Sequence, residues 1–366
     1  MIWLLACAPK VVEPAPATTG AAVASIELED EDVQGQLPPP SWRSGRAAGP
    51  APRNSPGEAW SRVLAGPITE PVVTDGERVY AVAEGRVYCF DLAGAELWEI
   101  RVGASGGVAV TDLGPTIGTE GGKVLVLDPK DGSTVKSLVG GGPVRGQPAQ
   151  IGPAVAWGTL HGGVASTGGW GHDAALSAAG GIAADGDVWF LATLEGDLVA
   201  GDGEGVRWQA KLPGPAAEGP TLDDTHVYVP VAAREGEPGG VVAFTRDGKE
   251  AWRHRTGFGP AAALARGRNV YVPDKDGRLY ALDPETGREN WSVEGFGEFG
   301  IQPLVVDGRV YAGNGDGSLS QIDGFDGGVV WSVSLGAPVS GEPALVRGML
   351  VVGLANGRLV ALKEGL

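Results

Sequence analysis

The 366-residue chain contains 45 acidic and 28 basic side chains, so its formal net charge at pH 7 is −17. This excess of negative charge repels a phosphate backbone, which argues against nucleic acid as a partner. The two cysteines, Cys7 and Cys89, provide no disulfide framework. The sequence contains no run of about 20 apolar residues, so it predicts no membrane-spanning helix.

The chain begins with an apolar stretch that ends in Leu4-Leu5-Ala6-Cys7. This stretch resembles the end of a bacterial lipoprotein signal, in which a small residue precedes a cysteine. The resemblance implies that Cys7 becomes lipidated and ends residues 1–7 as a signal remnant. Because Ala8 follows instead of Asp, it also implies retention at the periplasmic face of the outer membrane. A secretory signal has a longer apolar region than this one, so an ordinary hydrophobic terminus is the alternative.

Residues 8–57 are rich in Pro, Ala and acidic side chains and show neither helical nor strand periodicity. A segment of this composition cannot bury enough apolar surface to offset the loss of chain entropy on folding. We therefore predict a disordered tether between the lipid anchor and the folded domain.

Six tryptophans recur along the rest of the chain at intervals of about 40 residues, or at a multiple of that interval. Each closes a stretch that reads as four short strands. The interval predicts an all-β fold, an eight-bladed β-propeller of four-stranded antiparallel blades, with seven blades as the alternative. The six residues are Trp60, Trp98, Trp208, Trp252, Trp291 and Trp331.

One repeat shows the predicted blade most clearly. Its apolar runs, 303–306, 309–313, 318–323 and 329–335, are separated by turn residues such as Asp307-Gly308. Four strands in so few residues leave no space for a helix.

The preceding repeat ends in a sharper motif. Asp283 can cap a turn with its carboxylate, Gly287 can adopt positive φ, and Trp291 then lies on the outermost strand. There the indole can wedge against the neighbouring blade while its N–H finds a polar partner. The motif resembles the pyrroloquinoline-quinone-type propeller repeat, and the resemblance extends over residues 58–366. The matching residues are Ala281, Asp283, Thr286, Gly287 and Trp291.

The two ends of this domain are complementary. Residues 342–366 supply only three strands, and residues 58–64 have the form of the missing fourth. Joining both termini in one blade removes an open sheet edge, so an N-terminal strand is predicted to close the ring.

Two repeats depart from the pattern: one has Lys136 where the tryptophan belongs, and residues 147–177 lack both the Asp turn and the outer tryptophan. Between these departures lies Val144-Arg145-Gly146. This tripeptide is similar to a docking stretch of the BamB family of outer-membrane assembly lipoproteins. That family serves as a periplasmic accessory of the barrel-assembly machinery. The resemblance implies a monomeric, non-catalytic scaffold that binds protein partners in the cell envelope through Val144, Arg145 and Gly146.

The alternative function is a quinone-binding or other small-ligand-binding propeller, because quinoprotein dehydrogenases share the repeat. Those enzymes often carry a pair of adjacent cysteines, whereas Cys89 stands alone in its strand. The four histidines lack metal-ligand spacing, and the Asp-Gly and Asn-Gly runs read as hairpin turns. The sequence therefore predicts no catalytic residue, metal site or cofactor.

Overall fold

The computed structural model describes residues 49–161, 163–172, 176–295 and 297–365. These residues form eight four-stranded antiparallel sheets, each with its strands in sequential order apart from the closing one. The predicted eight-bladed propeller is therefore confirmed, and the seven-bladed alternative is wrong. Within the described ranges, no helix is long and apolar enough to cross a membrane.

The first strand that the structure describes is β1 (Gly57–Val63). The strands of blades 1 to 4 follow: β2 (Val73–Thr74), β3 (Arg78–Ala83), β4 (Arg86–Asp91) and β5 (Glu96–Arg101); β6 (Ala109–Thr111), β7 (Gly114–Gly118), β8 (Lys123–Leu127) and β9 (Thr134–Val139); β10 (Val144–Ile151), β11 (Ala154–Thr159), β12 (Val164–Ser166) and β13 (Gly171–His172); β14 (Ala183–Asp185), β15 (Val188–Ala192), β16 (Asp197–Gly201) and β17 (Val206–Lys211).

The strands of blades 5 to 8 complete the ring: β18 (Thr221–Leu222), β19 (His226–Val231), β20 (Gly240–Thr245) and β21 (Glu250–Arg255); β22 (Ala265–Arg266), β23 (Val270–Pro273), β24 (Arg278–Leu282) and β25 (Glu289–Glu294); β26 (Leu304–Val306), β27 (Arg309–Gly313), β28 (Ser318–Asp323) and β29 (Val329–Ser334); β30 (Val339–Val346), β31 (Met349–Leu354) and β32 (Arg358–Lys363), with β1 as the fourth strand of blade 8.

Burial differs between the strands of one blade. The second and third strands, such as β3 and β4, are apolar and buried on both faces, because each blade packs between two neighbours. The fourth strand alternates, so that in β5 the Trp98 side chain is buried and Glu99 is exposed. The first strands of neighbouring blades contact one another around the ring and therefore lie innermost.

The ring closes through antiparallel pairing of β1 with β32, from Gly57 opposite Lys363 to Val63 opposite Arg358. This is the predicted closure by an N-terminal strand. Both termini of the domain therefore lie in blade 8, and β1 covers the edge that β32 would otherwise leave open.

Ordered contacts begin earlier in the chain than the predicted start of the domain at residue 58. Pro52 and Pro56 are buried, and the carbonyl of Pro52 accepts a hydrogen bond from the Tyr311 hydroxyl at 2.9 Å. Residues 50–56 thus belong to the propeller, although their composition suggested part of the tether. Cys7 and the rest of the predicted signal and tether up to residue 48 lie outside the described residues.

Candidate functional site

Five of the six periodic tryptophans make the same contact with the next blade. Each lies on an outermost strand, and its indole N–H donates to a backbone carbonyl in the following blade's turn between third and fourth strands. The pairs are Trp60 with Leu92, Trp98 with Pro129, Trp208 with Arg246, Trp252 with Pro284 and Trp291 with Gly324, at 2.7–3.3 Å. This contact ties successive blades together.

The same turns contain a glycine at the point where the indole ring lies. A Cβ at Gly287 would lie 2.3 Å from a ring carbon of Trp252, and Gly287 has a φ of +67°. The Asp283 carboxylate accepts the Thr286 amide at 2.9 Å and fixes this turn. The Asp and Gly of the repeat therefore build the seat for the tryptophan of the preceding blade.

Three of the eight blade junctions that the structure describes lack this contact, and two of them, between blades 2 and 3 and between blades 3 and 4, are filled from the opposite side. Lys136 occupies the tryptophan position of blade 2 and is exposed. Trp157, on the second strand of blade 3, packs against Val124 of blade 2 and donates to the Gly140 carbonyl at 2.9 Å. Trp189 of blade 4 is likewise buried and stacks with His172 of blade 3. Both tryptophans fall outside the interval of about 40 residues, so the periodic pattern does not predict them.

Arg145 lies at the rim of a cavity of about 420 Å³ at one end of the ring axis. The cavity is lined by segments that lead into the first strands of several blades, and Arg145 itself is exposed. Its neighbours are placed differently. Val144 is 3% exposed and packs with Trp157, so its side chain serves the core and cannot meet a partner as predicted.

Gly146 has a backbone role beside Arg145. Its φ is +67°, and a Cβ there would lie 2.3 Å from the backbone nitrogen of Gly181 in the next blade. A Cβ at Gly106 would in turn lie 2.5 Å from the Gly146 carbonyl oxygen. Bare backbone therefore forms the wall of the cavity in blades 2 to 4, and Arg145 projects from it.

Carboxylates from other blades line the remaining wall of the same cavity. Glu70 belongs to blade 1, Glu218 to blade 5 and Glu342 to blade 8, and Glu120 stands in a turn of blade 2. None of the described residues in the lining is aromatic. In the part of the chain that the structure describes, no group of three or more His, Cys, Asp or Glu side chains is arranged to hold a metal ion.

Cys89 and His226, whose residue types often take part in catalysis or metal binding, are both buried within the blades. Cys89 is fully buried in β4 between Tyr80 and Trp98, and burial raises the pKa of its thiol to about 12. Such a thiol is not a nucleophile at neutral pH. His226 begins strand β19 and is buried, with its Nδ1 2.8 Å from the Thr225 hydroxyl.

The sequence matches a family model described as outer membrane protein assembly factor BamB, over residues 50–138, 152–264 and 237–365. The chain belongs to this family. Among curated proteins, none matches the sequence.

Solved structures share the fold at low sequence identity. BamB from Moraxella catarrhalis is 16% identical in sequence, with a TM-score of 0.66. The match covers 85% of this chain and 98% of the Moraxella chain. The quinohemoprotein alcohol dehydrogenase from Comamonas testosteroni is 13% identical with a TM-score of 0.64, covering 84% and 76%. The computationally designed Ika8 protein is 17% identical with a TM-score of 0.68, covering 82% and 98%. These likenesses establish the architecture, which proteins of different functions use.

Proposed function

We propose that this protein is a non-catalytic scaffold of the bacterial cell envelope that presents the cavity rim around Arg145 to a protein of the β-barrel assembly machinery. In this proposal, a lipid on Cys7 holds the propeller at the periplasmic face of the outer membrane. Membership of the BamB family supports the assembly role. The repeat architecture alone does not, since function resides in particular sites of a fold.

The observation that carries the proposal is the placement of Arg145. Its guanidinium is exposed on a rim whose backbone is held by the close approach of Gly146 to Gly181. A rigid support lowers the conformational entropy lost when a partner binds. Arginine is also enriched among the residues that dominate binding energy at protein interfaces, because its planar fork can grip a carboxylate with two hydrogen bonds. A partner with an exposed carboxylate fits this surface.

Charge reversal at this position tests the docking surface. We expect Arg145→Glu to lower the recovery of barrel-assembly proteins in native-envelope crosslinking by about tenfold, because a like charge then faces the partner's carboxylate. The matched control is Arg101→Glu, which reverses an exposed arginine on the outermost strand of blade 1. Equal recovery with the two variants would remove Arg145 from the interface.

The anchor is tested separately. Cys7→Ser removes the only thiol that the lipoprotein-like signal offers, so the protein should move from the membrane fraction to the soluble periplasmic fraction. Unchanged membrane association in Cys7→Ser cells would contradict lipid anchoring, and it would leave the Arg145 experiment unaffected.

A small-ligand-binding propeller is the second candidate. The axial cavity of about 420 Å³ falls within the size range of ligand sites, which favours this alternative. A polar lining whose described residues include no aromatic side chain for stacking counts against a planar quinone. A new absorbance band and a rise in melting temperature on adding pyrroloquinoline quinone with Ca²⁺ would support it over the scaffold role.

A further inference from the structure

Blade 8 differs from the other seven blades because its third and fourth strands are not joined by a turn. Strand β32 ends at Lys363, near the carboxyl end of the chain, whereas β1 begins at Gly57. In five other junctions, this turn supplies the carbonyl that accepts the tryptophan of the preceding blade. Blade 7 therefore packs against a blade that lacks the turn that usually accepts the tryptophan.

Residues 50–54, which we call the strap, lie beside blade 7 where the turn of blade 8 is missing. In blade 6, Tyr271 and Trp291 both donate to the carbonyl of Gly324, in the turn of the next blade, at 3.3 Å. In blade 7, the corresponding Tyr311 donates instead to the carbonyl of Pro52 at 2.9 Å. The Pro52 carbonyl thus takes over from the carbonyl of the missing turn.

Blade 7 also carries a side chain adapted to the strap. In blade 7 and in four other blades, one third-strand residue pairs with an aromatic residue of the second strand and with the tryptophan of the fourth. This residue is small in the four other blades, but in blade 7 it is Gln321. Gln321 is fully buried, and its Nε2 lies 3.2 Å from the Pro52 carbonyl and 3.1 Å from the Tyr311 hydroxyl. The four other sets are Tyr80-Cys89-Trp98, Phe190-Ala200-Trp208, Tyr228-Ala243-Trp252 and Tyr271-Ala281-Trp291.

The strap also holds the carboxyl end of the ring. The Arg53 amide donates to the Glu364 carboxylate at 2.8 Å, and the Asn54 side chain donates to the same carboxylate. Ala51 packs against the apolar cluster that contains Trp331. The strap therefore bridges blade 7 and the end of the last strand of blade 8 through noncovalent contacts.

Two buried polar atoms at this site have no hydrogen-bond partner within the described part of the chain: the indole nitrogen of Trp331 and Oε1 of Gln321. Proline offers a carbonyl but no N–H, so Pro52 cannot donate to the Gln321 oxygen. The strap consequently satisfies fewer of the buried polar groups of blade 7 than a turn of the next blade does in the other junctions. Buried groups without a hydrogen bond cost free energy, which weakens the attachment of the strap.

We propose that blade 7 carries a peptide-binding site, formed by Tyr311, Gln321 and Trp331, and that the chain fills this site with its own residues 50–54. The seam between β1 and β32 stays closed only while the strap is bound. Detachment of the strap from blade 7 therefore loosens ring closure. This inference is independent of the docking role of Arg145.

Hydrogen–deuterium exchange of the full chain tests the strap. Tyr311→Phe and Gln321→Met each remove donors to Pro52 while keeping the side-chain volume. We expect both to speed amide exchange in residues 57–63 and 358–363 about three- to tenfold, the range that loss of one such hydrogen bond allows. The matched control is Tyr271→Phe, which removes the equivalent bond to a covalent turn and should leave exchange at the seam unchanged. Unchanged exchange in both blade 7 variants, or equal acceleration in the control, would overturn the proposal.

A second experiment breaks the chain instead of the contacts. A specific protease site introduced at exposed Ser55 allows the strap to be cut from the folded protein. Cleavage should accelerate exchange at the seam, and an added peptide of residues 49–56 should slow it again. A peptide with Ala51→Asp serves as the control, because it places a charge against the Trp331 cluster. No acceleration on cleavage, or equal rescue by both peptides, would count against a strap-binding site.

Discussion

Trp252 of blade 5 lies so close to Gly287 of blade 6 that a Cβ at position 287 would stand 2.3 Å from a carbon of the indole ring. The indole N–H of Trp252 donates to the Pro284 carbonyl, three residues earlier in the same turn, at 2.7 Å. One turn therefore both receives the ring and accepts its hydrogen bond. A side chain at this glycine and the loss of the indole donor should therefore each weaken the junction.

We expect Gly287→Ala to destabilise the protein by roughly 2–4 kcal/mol, because it adds a clash inside a packed junction to the penalty of positive φ. The matched control is Gly308→Ala. Gly308 has a φ of +72°, close to the +67° of Gly287, but a Cβ added there would meet no atom within 4 Å. The control should therefore lose only about 1 kcal/mol. Urea unfolding of both variants measures the difference, and equal losses would contradict the clash.

Replacing tryptophan with phenylalanine separates the hydrogen bond from the packing. Trp252→Phe removes a buried donor that has a partner, and the Pro284 carbonyl then loses its hydrogen bond. In Trp331→Phe, the deleted donor has no partner among the described residues. Trp252→Phe should therefore cost about 1 kcal/mol more free energy of unfolding than Trp331→Phe. A larger loss for Trp331→Phe would show that its N–H is satisfied in solution.

The sequence predicted the blades well because each contains its own turn chemistry. In the repeat at 303–335, the first strand begins at Leu304, one residue later than predicted, and the last ends at Ser334, one residue earlier. The Asp307-Gly308 turn fixes locally where the first strand ends and the second begins, and there the prediction agrees with the structure. Ring closure was also predictable, since three strands at one end and one at the other admit a simple pairing.

Contacts between blades were harder to predict because they depend on groups far apart in the sequence. Residues 50–54 have the composition of a tether, and they are ordered by Tyr311 and Gln321, about 260 residues away in the sequence. A glutamine where four other repeats have alanine or cysteine was the available signal. Trp157 and Trp189 fill the junctions that lack an outer tryptophan, and Lys136 could have prompted a search for such a replacement. The tripeptide Val144-Arg145-Gly146 marked one part of the cavity rim, but the cavity itself is formed by several blades and has no local signature.

Asp223 links blade 5 to blade 6 and should make stability depend on acidic pH. Its carboxylate accepts hydrogen bonds from Tyr228 and from Arg266, both at 2.6 Å. Burial raises its pKa, but these bonds and those from backbone amides outweigh burial and hold the pKa well below its ordinary value. The unfolded chain therefore takes up a proton, near pH 4, before the folded protein does. Stability from this group is present above about pH 4 and is lost as the pH falls further.

We expect Asp223→Asn to cost roughly 2 kcal/mol at pH 7, because a charge-assisted network is lost. The loss should shrink as the pH falls below about 4, because the unfolded wild-type chain then takes up a proton at Asp223 and the stability that the charged carboxylate provides is lost. Urea unfolding between pH 7 and pH 2.5 measures this convergence. Asp112→Asn, a change at an exposed turn position, is the control and should leave the pH profile unaltered. A loss in Asp223→Asn that does not change with pH would contradict a depressed pKa.

Asp274 should show the opposite pH dependence. It is fully buried, and its Oδ1 accepts the amides of Phe258 and Asp276, while Oδ2 has no partner within the described ranges. Burial raises the pKa of this carboxyl above its ordinary value despite hydrogen bonds that act the other way. The folded protein therefore retains the proton to higher pH than the unfolded chain. The stability that protonation provides is complete below about pH 4 and is lost as the pH rises through the raised pKa.

Asp274→Asn should consequently raise stability at pH 7, by about 1 kcal/mol, because it removes a buried charge and keeps an oxygen for the two amides. The adjacent Asp276 provides the control. Its Oδ1 accepts the Arg278 amide and its Oδ2 the Tyr280 hydroxyl, so Asp276→Asn should destabilise the protein at the same pH. Urea unfolding at pH 7 and pH 3.5 distinguishes the two effects. The gain for Asp274→Asn should disappear at pH 3.5, where the wild-type carboxyl is neutral, and a gain that persists there would assign it to packing instead of charge.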